Sequence, residues 1–522
     1  MFGNLGILWK LEDGSHVLTS LDYPHDIIIL NKSVKIYHNK TLSNVNYPER
    51  FIFTNNRYET GLESIYISKN PKLVVAFEGV ADFEMIFDEI LISLNDSNID
   101  SNMLSLLKNS EGVFSVVGYY KKGEDERIFA FSNYRQIYVD KGIITTIKIP
   151  KASYILSTNS LITWSPNEFL GVTKKTPEGS TEIPTYKHFM LEEIHETPYI
   201  LRRLHALSRD RRIKESAVLL QNAEKTYVIG NGSSLNAGFV LPYLLQDFDI
   251  VPMSSLEFML YKLDKVSKDD LIIAITQSGN TWGVVEALKK LRASQVKIVS
   301  ITNNPFGRVS KYSDVILPVL AGPELAIPAT KTFAGTLGVL YLLSSSLLSD
   351  LSKEHTLLKT AETLESSILV YNNKARTIAE KLHSPSGGYI ISAGLTFPIA
   401  IEGALKLKET AYSHAEAIEL EEYLHGPSAA LSQEMYAILI LPVENLARER
   451  ILKKFDKFGI GNQVIIGNLG DFKDENVVQI NADGISYLFH VTLFLQFLAY
   501  WFGVYRKTPI DAPRGLSKVV ST

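Results

Sequence analysis

The N-terminal third of the chain alternates short apolar runs with turn-forming residues. The clearest runs are rich in β-branched and aromatic residues: Asp26–Leu30, Leu73–Phe77, Gly112–Val117, Arg127–Phe131 and Tyr154–Leu156. Short runs of this kind, separated by turn signals, are typical of antiparallel sheets. A longer apolar stretch at 83–95 predicts a helix among them. The pattern therefore favours an α+β fold for this part of the chain.

The pattern changes at Lys187. Residues 187–207 predict an amphipathic helix, which Pro198 either bends or restarts. Beyond it, near-continuous apolar strands alternate with segments of helix length: Thr226–Gly230, Asp270–Ile275, Val296–Ile301 and Asp314–Val319. Such strands indicate a parallel sheet that helices cover on both faces.

The same strand–helix pattern returns about 160 residues later. Its four strands are predicted at Tyr389–Ser392, Tyr436–Ile440, Gln463–Ile466 and Asn476–Ile480. A recurrence on this scale predicts two copies of one doubly wound α/β domain.

One segment, Tyr487–Tyr505, has no charged residue and is long enough to span a bilayer. It also contains His490, Thr492 and Gln496, and no other segment resembles it. A buried core helix is therefore favoured over a membrane span. The start of the chain lacks a basic stretch followed by an apolar one, so no signal peptide is expected.

Composition narrows the class of protein. The 522 residues are 45% hydrophobic and 21% charged, as in ordinary globular proteins, and predict two to four domains. The net charge of −4 gives no electrostatic reason to bind nucleic acid or an anionic membrane. The absence of cysteine excludes disulfides, thiolate metal sites and cysteine catalysis within this sequence, and it fits a reducing cytoplasm.

Two polar loops directly follow strands in the first α/β copy. One is Gly230–Ser234, before a helix expected near Leu235, and the other is Thr276–Thr281. Small residues allow backbone N–H groups to approach an anion, hydroxyls add donors, and the following helix points its positive end at the same place. Ordinary turns would have the same composition, but two such loops after strands of one sheet favour a phosphomonoester site.

The second copy differs at the corresponding position. Residues 441–444 read Leu-Pro-Val-Glu, where proline lacks a donor and glutamate repels an anion. Only the first copy is therefore expected to bind phosphate.

The most reactive-looking stretch lies at 401–410. Glu402, Lys406 and Glu409 are spaced i, i+4 and i+7, so they share one helical face. The apolar residues between them predict a mostly buried helix, where charged groups are rare without a partner or a purpose. A loop that contains His425 follows, and the chain continues to a tail at 513–522. A solvated helix with surface salt bridges is the alternative.

Taken together, these stretches resemble the isomerase half of the glutamine–fructose-6-phosphate aminotransferase family, which consists of two sugar isomerase (SIS) domains. The matching stretches run in family order from residue 187 to the C-terminus: Lys187–Ile194, Thr276–Thr281, Ala321–Lys331, Glu402–Glu409, His425–Pro427 and Pro513–Lys518.

The resemblance implies a role for each matching residue. Lys518 would form a Schiff base with the C2 ketone of fructose 6-phosphate, and Glu409 would move the proton between C1 and C2, supported by Glu402 and Lys406. His425 would reach in from the neighbouring subunit of a homodimer to assist ring opening. The sugar phosphate would be held by hydroxyl and amide groups, with three further residues near the sugar: Ser234, Thr276, Gln277, Ser278 and Thr281 for the phosphate, and Ser233, Ile327 and Ser517 for the sugar.

The implied chemistry sets a condition on Lys518. A lysine near its ordinary pKa is almost wholly protonated at neutral pH, so the amine has to be desolvated or lie near a cation such as Arg514 to attack a ketone. A tail position suits this role, because a tail can close over bound sugar and exclude water. No metal or cofactor is expected.

The N-terminal part resembles the family's glutaminase domain only faintly. The chain opens Met1-Phe2-Gly3, where the family uses cysteine as nucleophile, and a phenyl ring cannot attack an amide. Arg57 falls in a stretch similar to the loop that holds the glutamine carboxylate, whereas Glu78 stands where an oxyanion-hole Asn-Gly is expected and would repel an oxyanion. A degenerate N-terminal-nucleophile-type domain is the expectation.

The isomerase half departs from the family's usual residues at four positions: Asn231, Ala329, Gly515 and Ser517. These departures bear on which sugar is preferred.

The sequence thus predicts a cytoplasmic phosphosugar aminating isomerase that converts fructose 6-phosphate and ammonia to glucosamine 6-phosphate. The ammonia would be free or come from a partner glutaminase. Two alternatives stay open: a glucosamine-6-phosphate deaminase running the reverse reaction, and a non-catalytic sugar-phosphate sensor. The predicted parts are a degenerate glutaminase-like domain at 1–185, a helical linker at 186–212, SIS domains at 213–355 and 356–505, and an active-site tail at 506–522.

Overall fold

A computed structural model describes most of the chain from residue 186 to 518, with gaps at 293, 306, 323, 349–354, 455–461 and 471–473, and the helices and strands of the preceding part. The chain divides into two compact units, Met1–Pro184 and Thr185–Thr522. The five-part division expected from the sequence stays a prediction.

Among the residues that the structure describes, the first unit contains two antiparallel sheets and two helices. A seven-stranded sheet has the order β11-β9-β10-β1-β4-β2-β3, and a five-stranded sheet has the order β12-β8-β7-β6-β5. The strands are β1 Leu5–Leu8, β2 His25–Leu30, β3 Val34–Lys40, β4 Phe51–Asn56, β5 Ile65–Ile67, β6 Leu73–Ala81, β7 Gly112–Lys122, β8 Asp125–Ser132, β9 Ile137–Asp140, β10 Ile143–Thr145, β11 Tyr154–Leu156 and β12 Ser160–Trp164. The helices are α1 Phe83–Ser93 and α2 Ile99–Asn109.

A hydrophobic core forms where α1 and α2 pack on the five-stranded sheet. Phe87, Ile90 and Leu107 from the helices meet Phe114 and Phe129 from the strands, and all five are buried. The predicted antiparallel strands and the helix at 83–95 are present, although whether this unit is of the N-terminal-nucleophile type stays a prediction. Phe2 and Arg57 lie outside the described residues, and Glu78 lies within β6, where it pairs with Ser115 of β7.

The second unit contains two parallel five-stranded sheets. The first sheet has the strand order β14-β13-β15-β16-β17, and the second has the order β19-β18-β20-β21-β22. In each sheet the first strand of the copy lies between its second and third strands, so the two copies have the same topology. The strands are β13 Thr226–Gly230, β14 Ile250–Ser254, β15 Leu271–Thr276, β16 Lys297–Thr302, β17 Val315–Pro318, β18 Gly387–Ser392, β19 His414–Glu419, β20 Met435–Ile440, β21 Gln463–Gly467 and β22 Val477–Gln479. The predicted parallel α/β sheets are therefore confirmed.

Sequence reasoning missed one strand in each copy. These are the edge strands β14 and β19, which are less buried than the central ones. The first contains a proline and the second contains three charged or titratable residues. An edge strand needs only one apolar face, so its pattern is weaker than that of a fully buried strand.

Helices cover both sheets of the second unit. They are α3 Phe189–His195, α4 Thr197–Ala206, α5 Arg211–Asn222, α6 Ser233–Gly238, α7 Leu241–Leu244, α8 Ser255–Tyr261, α9 Trp282–Leu291, α10 Lys331–Leu347, α11 Thr356–Leu382, α12 Phe397–Ala411, α13 Leu420–Leu424, α14 Asn445–Lys454 and α15 Gly484–Arg506. Pro198 begins a new helix rather than bending one, since α4 carries it in its first turn, where a missing N–H costs nothing.

The apolar segment at 487–505 lies in α15, which packs against α11 and α12. Among the described residues, α15 is the one helix that is long and apolar enough to cross a membrane. However, 89% of its most apolar 18-residue stretch is buried inside the protein. Two of its polar residues have partners in the core. The two ring nitrogens of His490 lie 2.8 Å from the Tyr371 hydroxyl and 3.0 Å from the Thr363 hydroxyl, and the Gln496 amide donates to the Thr330 carbonyl at 3.0 Å. The structure therefore uses this helix as the central core element of the second unit.

Candidate active site

Both polar loops of the first copy lie at one edge of its sheet. They follow β13 and β15, which are neighbouring parallel strands, so their carboxyl ends meet there. Gly232 has φ of +56°, a left-handed conformation that glycine adopts without strain, and α6 begins at the next residue. Ser233 and Ser234 are thus the first two residues of the helix rather than part of a loop before it, and both are half-buried.

The second loop is held closed by its own hydroxyls and by the next loop. The hydroxyls of Thr276 and Thr281 lie 2.8 Å apart, and the Ser278 hydroxyl accepts a hydrogen bond from the Asn280 amide at 3.1 Å. Gly279 has φ of +68°, and a Cβ there would lie 2.8 Å from the Gly307 Cα. The loop therefore depends on glycine for both its conformation and its packing. Gln277 is half-buried beside these residues.

Helix α12 brings the three predicted charged residues together on one buried face. The Lys406 ammonium lies 3.4 Å from the Glu402 carboxylate and also forms an ion pair with Glu409. The side chains of Lys406 and Glu402 are 1% and 2% exposed, whereas that of Glu409 is 19% exposed. The solvated-helix alternative is therefore wrong, and of the three groups Glu409 is the one with access to a ligand.

The same helix connects the two copies. Glu402 accepts hydrogen bonds from the Ser233 hydroxyl at 2.9 Å and from the Asn236 amide at 2.8 Å, both in α6. Helix α6 in turn packs on β13 and β15. The acid–base face of the second copy is thus joined to the end of the first sheet that carries the polar loops.

Burial tunes the charges on α12. It raises the pKa of Glu402 to about 7, against the opposing effect of Lys406. Burial alone would lower the pKa of Lys406, but attraction to Glu402 and Glu409 raises it above its ordinary value. Lys406 therefore stays an ammonium, and Glu402 can exchange a proton near neutral pH.

The C-terminal tail crosses the unit from α3 to the predicted site. The Asp511 carboxylate accepts hydrogen bonds from the backbone amides of Phe189 and Met190 at the start of α3, at 3.0 and 2.9 Å. The Asp511 carbonyl accepts one from Ile327 at 2.8 Å. Ile327, which the sequence placed near the sugar, is half-buried against this tail, and Ser517 is exposed.

Lys518 ends in contact with an anion, not a cation. Its ammonium donates to the Glu324 carboxylate and to the Ala326 carbonyl, both at 2.6 Å. The Arg514 guanidinium instead lies over the Tyr412 ring, 4.4 Å from its centroid. Of the two conditions that the sequence set for Lys518, the nearby cation Arg514 is not met, because the tail directs the two side chains to different partners, whereas the Lys518 side chain is largely removed from solvent, with 12% of it exposed.

A buried carboxylate holds the segment that receives Lys518. Glu193 of α3 accepts hydrogen bonds from the backbone amides of Leu325 and Ala326, the second at 3.2 Å. Burial raises the pKa of Glu193 well above its ordinary value. Lys331 lies nearby and forms an ion pair with Glu196. Sequence reasoning assigned none of these residues, although Glu193 and Glu324 lie within two stretches that resemble the aminotransferase family.

His425 lies apart from these contacts. It caps the short helix α13, where a loop was expected, and its Nδ1 lies 2.6 Å from the Glu421 carbonyl oxygen. The ring is exposed, and no polar contact joins it to α12 or to the tail among the described residues of this single chain. The prediction that it acts across a subunit interface is not tested by one chain.

Comparisons with known proteins agree with this architecture. The SIS domain family matches residues 219–346, which include both polar loops. The glutamine–fructose-6-phosphate aminotransferase (isomerizing) of Pyrobaculum aerophilum is 36% identical over 349 residues, 64% of this chain and 58% of that protein. The enzyme of the same name from Thermotoga maritima is 32% identical over 371 residues, 66% of this chain and 60% of that protein. The chain therefore spans about three fifths of the length of these relatives.

Solved structures also match the fold of the second unit. The C-terminal domain of glucosamine-fructose-6-phosphate aminotransferase from Francisella tularensis is 26% identical, with a TM-score of 0.56 over 63% of this chain and 99% of that one. A glucosamine-6-phosphate deaminase from Thermotoga maritima, 20% identical with a TM-score of 0.53 over 64% of this chain and 99% of that one, shares the fold. Over the part that these matches cover, the chain is similar to glutamine–fructose-6-phosphate aminotransferases, and residues 219–346 match the SIS domain family.

Proposed function

We propose that this protein is a phosphosugar aminating isomerase that converts fructose 6-phosphate and ammonia to glucosamine 6-phosphate. The observation that carries the proposal is the pair of hydrogen bonds that Glu402 of the acid–base helix accepts from Ser233 and Asn236, at the end of the sheet that carries both phosphate-type loops. The names of the relatives point to the same reaction. A sensor would need only the loops, whereas this chain also retains the buried Lys406, the partly buried Lys518 and their carboxylate partners.

The residues divide the reaction among them. Thr276, Ser278 and Thr281 with the N-terminus of α9 bind the phosphate, while the amine of Lys518 condenses with the C2 ketone. Ammonia then adds to C2 of this imine and expels the Lys518 amine, so that the ammonia nitrogen remains on C2 as an imine. Glu409, the most exposed of the three charged groups on α12, moves the proton between C1 and C2. Lys406 fixes the orientation of Glu409, and Glu402 fixes Lys406 and Ser233.

The nitrogen comes from free ammonia or from a partner glutaminase. This sequence contains no cysteine, so it offers no thiolate to attack glutamine. The first unit is then a degenerate glutaminase-like domain. A cytoplasmic location and a homodimer, with His425 completing the neighbouring site, are part of the same proposal.

The decisive assay compares two nitrogen donors. Purified protein with fructose 6-phosphate and ¹⁵N-ammonium is expected to form ¹⁵N-labelled glucosamine 6-phosphate, detected by mass spectrometry, and glutamine alone is expected to give none. Product from glutamine without a partner would refute the loss of glutaminase activity. Release of ammonia from glucosamine 6-phosphate, with no synthesis at any ammonium concentration, would favour the deaminase.

Two variants test the assignment of residues. Borohydride trapping with fructose 6-phosphate is expected to label the wild-type tail peptide and not that of Lys518→Met.

Mixing inactive Lys518→Met with inactive His425→Ala subunits is expected to restore part of the activity, because one site of each mixed dimer is intact. No recovery after confirmed subunit exchange would place each site within one chain.

A further inference from the structure

The Glu324 carboxylate has an unusual set of donors for a side chain with no exposed surface. It accepts hydrogen bonds from the Thr330 amide at 2.9 Å, the Thr332 amide at 3.1 Å and the Thr332 hydroxyl at 2.7 Å. The fourth donor is the Lys518 ammonium at 2.6 Å. A carboxylate that accepts several hydrogen bonds and one ion pair is stabilised in its charged form.

The surrounding charges leave Glu324 as the anion that faces the tail amine. On α3, burial raises the pKa of Glu193, which favours the neutral acid. Lys331 of α10 is paired with Glu196, and Lys406 of α12 is paired with Glu402 and Glu409. Burial works to raise the pKa of Glu324, but Lys518 and the hydrogen-bond donors lower it below its ordinary value.

Two independent anchors hold this arrangement in place. Glu193 binds the amides of Leu325 and Ala326, and Asp511 of the tail binds the amide of Ile327. The segment that carries Glu324 and the tail that carries Lys518 are thereby held together on both sides of the ion pair. The position of the amine relative to Glu324 is fixed by the backbone as well as by charge.

We propose that Glu324 is the counter-ion of Lys518, both for the ammonium before the sugar binds and for the protonated imine that forms with the sugar ketone. This inference rests on the proposed function. It adds a residue that holds the charge on the reacting nitrogen, which the sequence comparison with the family did not assign.

The charge balance of imine formation explains why one fixed anion suits both states. The ammonium gives up one proton, which Glu324 takes through its existing hydrogen bond, and the neutral amine adds to C2 to form a carbinolamine. The electron pair on the carbinolamine nitrogen then forms the second bond of the C=N group and expels hydroxide from C2. The proton on Glu324 joins that hydroxide to give water. The net change is ammonium plus ketone to protonated imine plus water, so the nitrogen carries one positive charge before and after.

A protonated imine is the form that withdraws electrons from C1 and C2. If the Lys518 nitrogen loses its proton, C2 becomes less electrophilic, and the addition of ammonia that expels the Lys518 amine slows. Glu409 moves the proton afterwards, on the imine that ammonia forms. A buried anion in contact with the nitrogen keeps that proton bound to a higher pH. Glu324 therefore matters for the chemical step and not for binding of the phosphate.

The test measures the protonation of the imine directly. Sodium cyanoborohydride reduces the protonated imine selectively, whereas sodium borohydride also traps the neutral one. The ratio of Lys518 labelling by the two reagents, with fructose 6-phosphate over a range of pH, gives the midpoint at which the imine loses its proton. Glu324→Gln is expected to lower this midpoint by about 1–3 pH units, since an opposite charge in contact shifts a pKa by that amount.

Three comparisons make the result specific. Glu365→Gln, which removes a carboxylate from a surface ion pair with Arg202, is expected to leave the midpoint unchanged. Glucitol 6-phosphate has no carbonyl group, so its affinity reports the phosphate site alone and is expected to be the same in Glu324→Gln and wild type. Glu324→Asp keeps the charge at a longer reach and is expected to give an intermediate midpoint, and it provides the test if the glutamine variant does not fold.

The outcomes separate this inference from the proposed function. A wild-type protein that forms no trapped adduct and no amino sugar overturns both. A wild-type protein that does form them, with the same midpoint in Glu324→Gln, Glu324→Asp and wild type, overturns only the counter-ion role.

Discussion

Replacing Glu402 with glutamine tests whether this buried carboxyl carries the charge behaviour that the structure assigns to it. The glutamine keeps the size of the side chain and one oxygen, so only one of the two donors, the Ser233 hydroxyl and the Asn236 amide, keeps an acceptor. It also removes the negative charge 3.4 Å from the Lys406 ammonium and the titration of a group that is 2% exposed. The lost hydrogen bond does not titrate, so it adds an offset that is the same at every pH. The variant therefore isolates the pH dependence that Glu402 contributes to stability.

The direction and size of the effect follow from proton linkage. The pKa of Glu402 is about 7 in the folded protein, against 4.5 for an ordinary glutamate. Between these values the folded state binds more protons than the unfolded state, so the contribution of Glu402 to the free energy of unfolding falls as pH rises. For this shift the loss between about pH 5 and pH 8 is about 2–3 kcal/mol.

The assay is urea unfolding of wild type and Glu402→Gln at several values of pH across that window. Other titrating groups act on both proteins, so the difference between their free energies of unfolding reports Glu402. The stability of the variant relative to wild type is expected to rise by the calculated amount between the two ends. Glu434→Gln, at an exposed position, is the matched control and is expected to show a constant difference.

A difference between Glu402→Gln and wild type that stays constant across the window would refute the reasoning. It would mean that the pKa of Glu402 in the folded chain is not raised above its ordinary value, so that Lys406 offsets or outweighs the effect of burial and Glu402 stays ionised throughout the window.

Three further predictions concern other parts of the second unit. Gly279→Ala is expected to weaken glucitol 6-phosphate binding ~10-fold or more in a binding titration, because φ is +68° and an added Cβ would lie 2.8 Å from backbone. The control Gly470→Ala has φ of +63° but open space around it, and it is expected to retain full affinity. Asp511→Ala removes a helix cap of about 1 kcal/mol and is expected to speed trypsin cleavage of the tail, followed by mass spectrometry; an unchanged cleavage rate would contradict the anchoring role. Burial lowers the pKa of His490 to about 4 from 6.5, so between these values the folded state binds fewer protons than the unfolded state and the free energy of unfolding falls as pH drops. His490→Gln is expected to remove about 3 kcal/mol of this acid sensitivity, measured by urea unfolding. Equal acid sensitivity in the variant and wild type would show that the ring protonates without cost.

Local pattern was enough to predict most elements of the second unit. The buried strands β13, β15, β16 and β20 are continuous apolar runs, and their order along the chain predicts a parallel sheet. The i, i+4 spacing of Glu402 and Lys406 was enough to place them on one face, since helix geometry depends only on neighbours in sequence.

The contacts that build the site were not predictable in this way. Ser233 and Glu402 are 169 residues apart, and Glu324 and Lys518 are 194 residues apart. Neither pair has a periodicity that would reveal it, because the distance between such residues is set by how whole elements pack. The sequence predicted that Lys518 would be desolvated or lie beside a cation, and packing placed a carboxylate there.

The amino-acid sequence by itself therefore determined the repeated α/β pattern, the polar loops after two strands and the absence of a thiol. Tertiary structure alone decided which charges meet. It buried Glu402 and Lys406 together under α6, and it joined the tail amine to Glu324. The physical reason is that secondary structure follows local spacing, whereas the charge state of a buried group depends on its desolvation and on partners from distant parts of the chain.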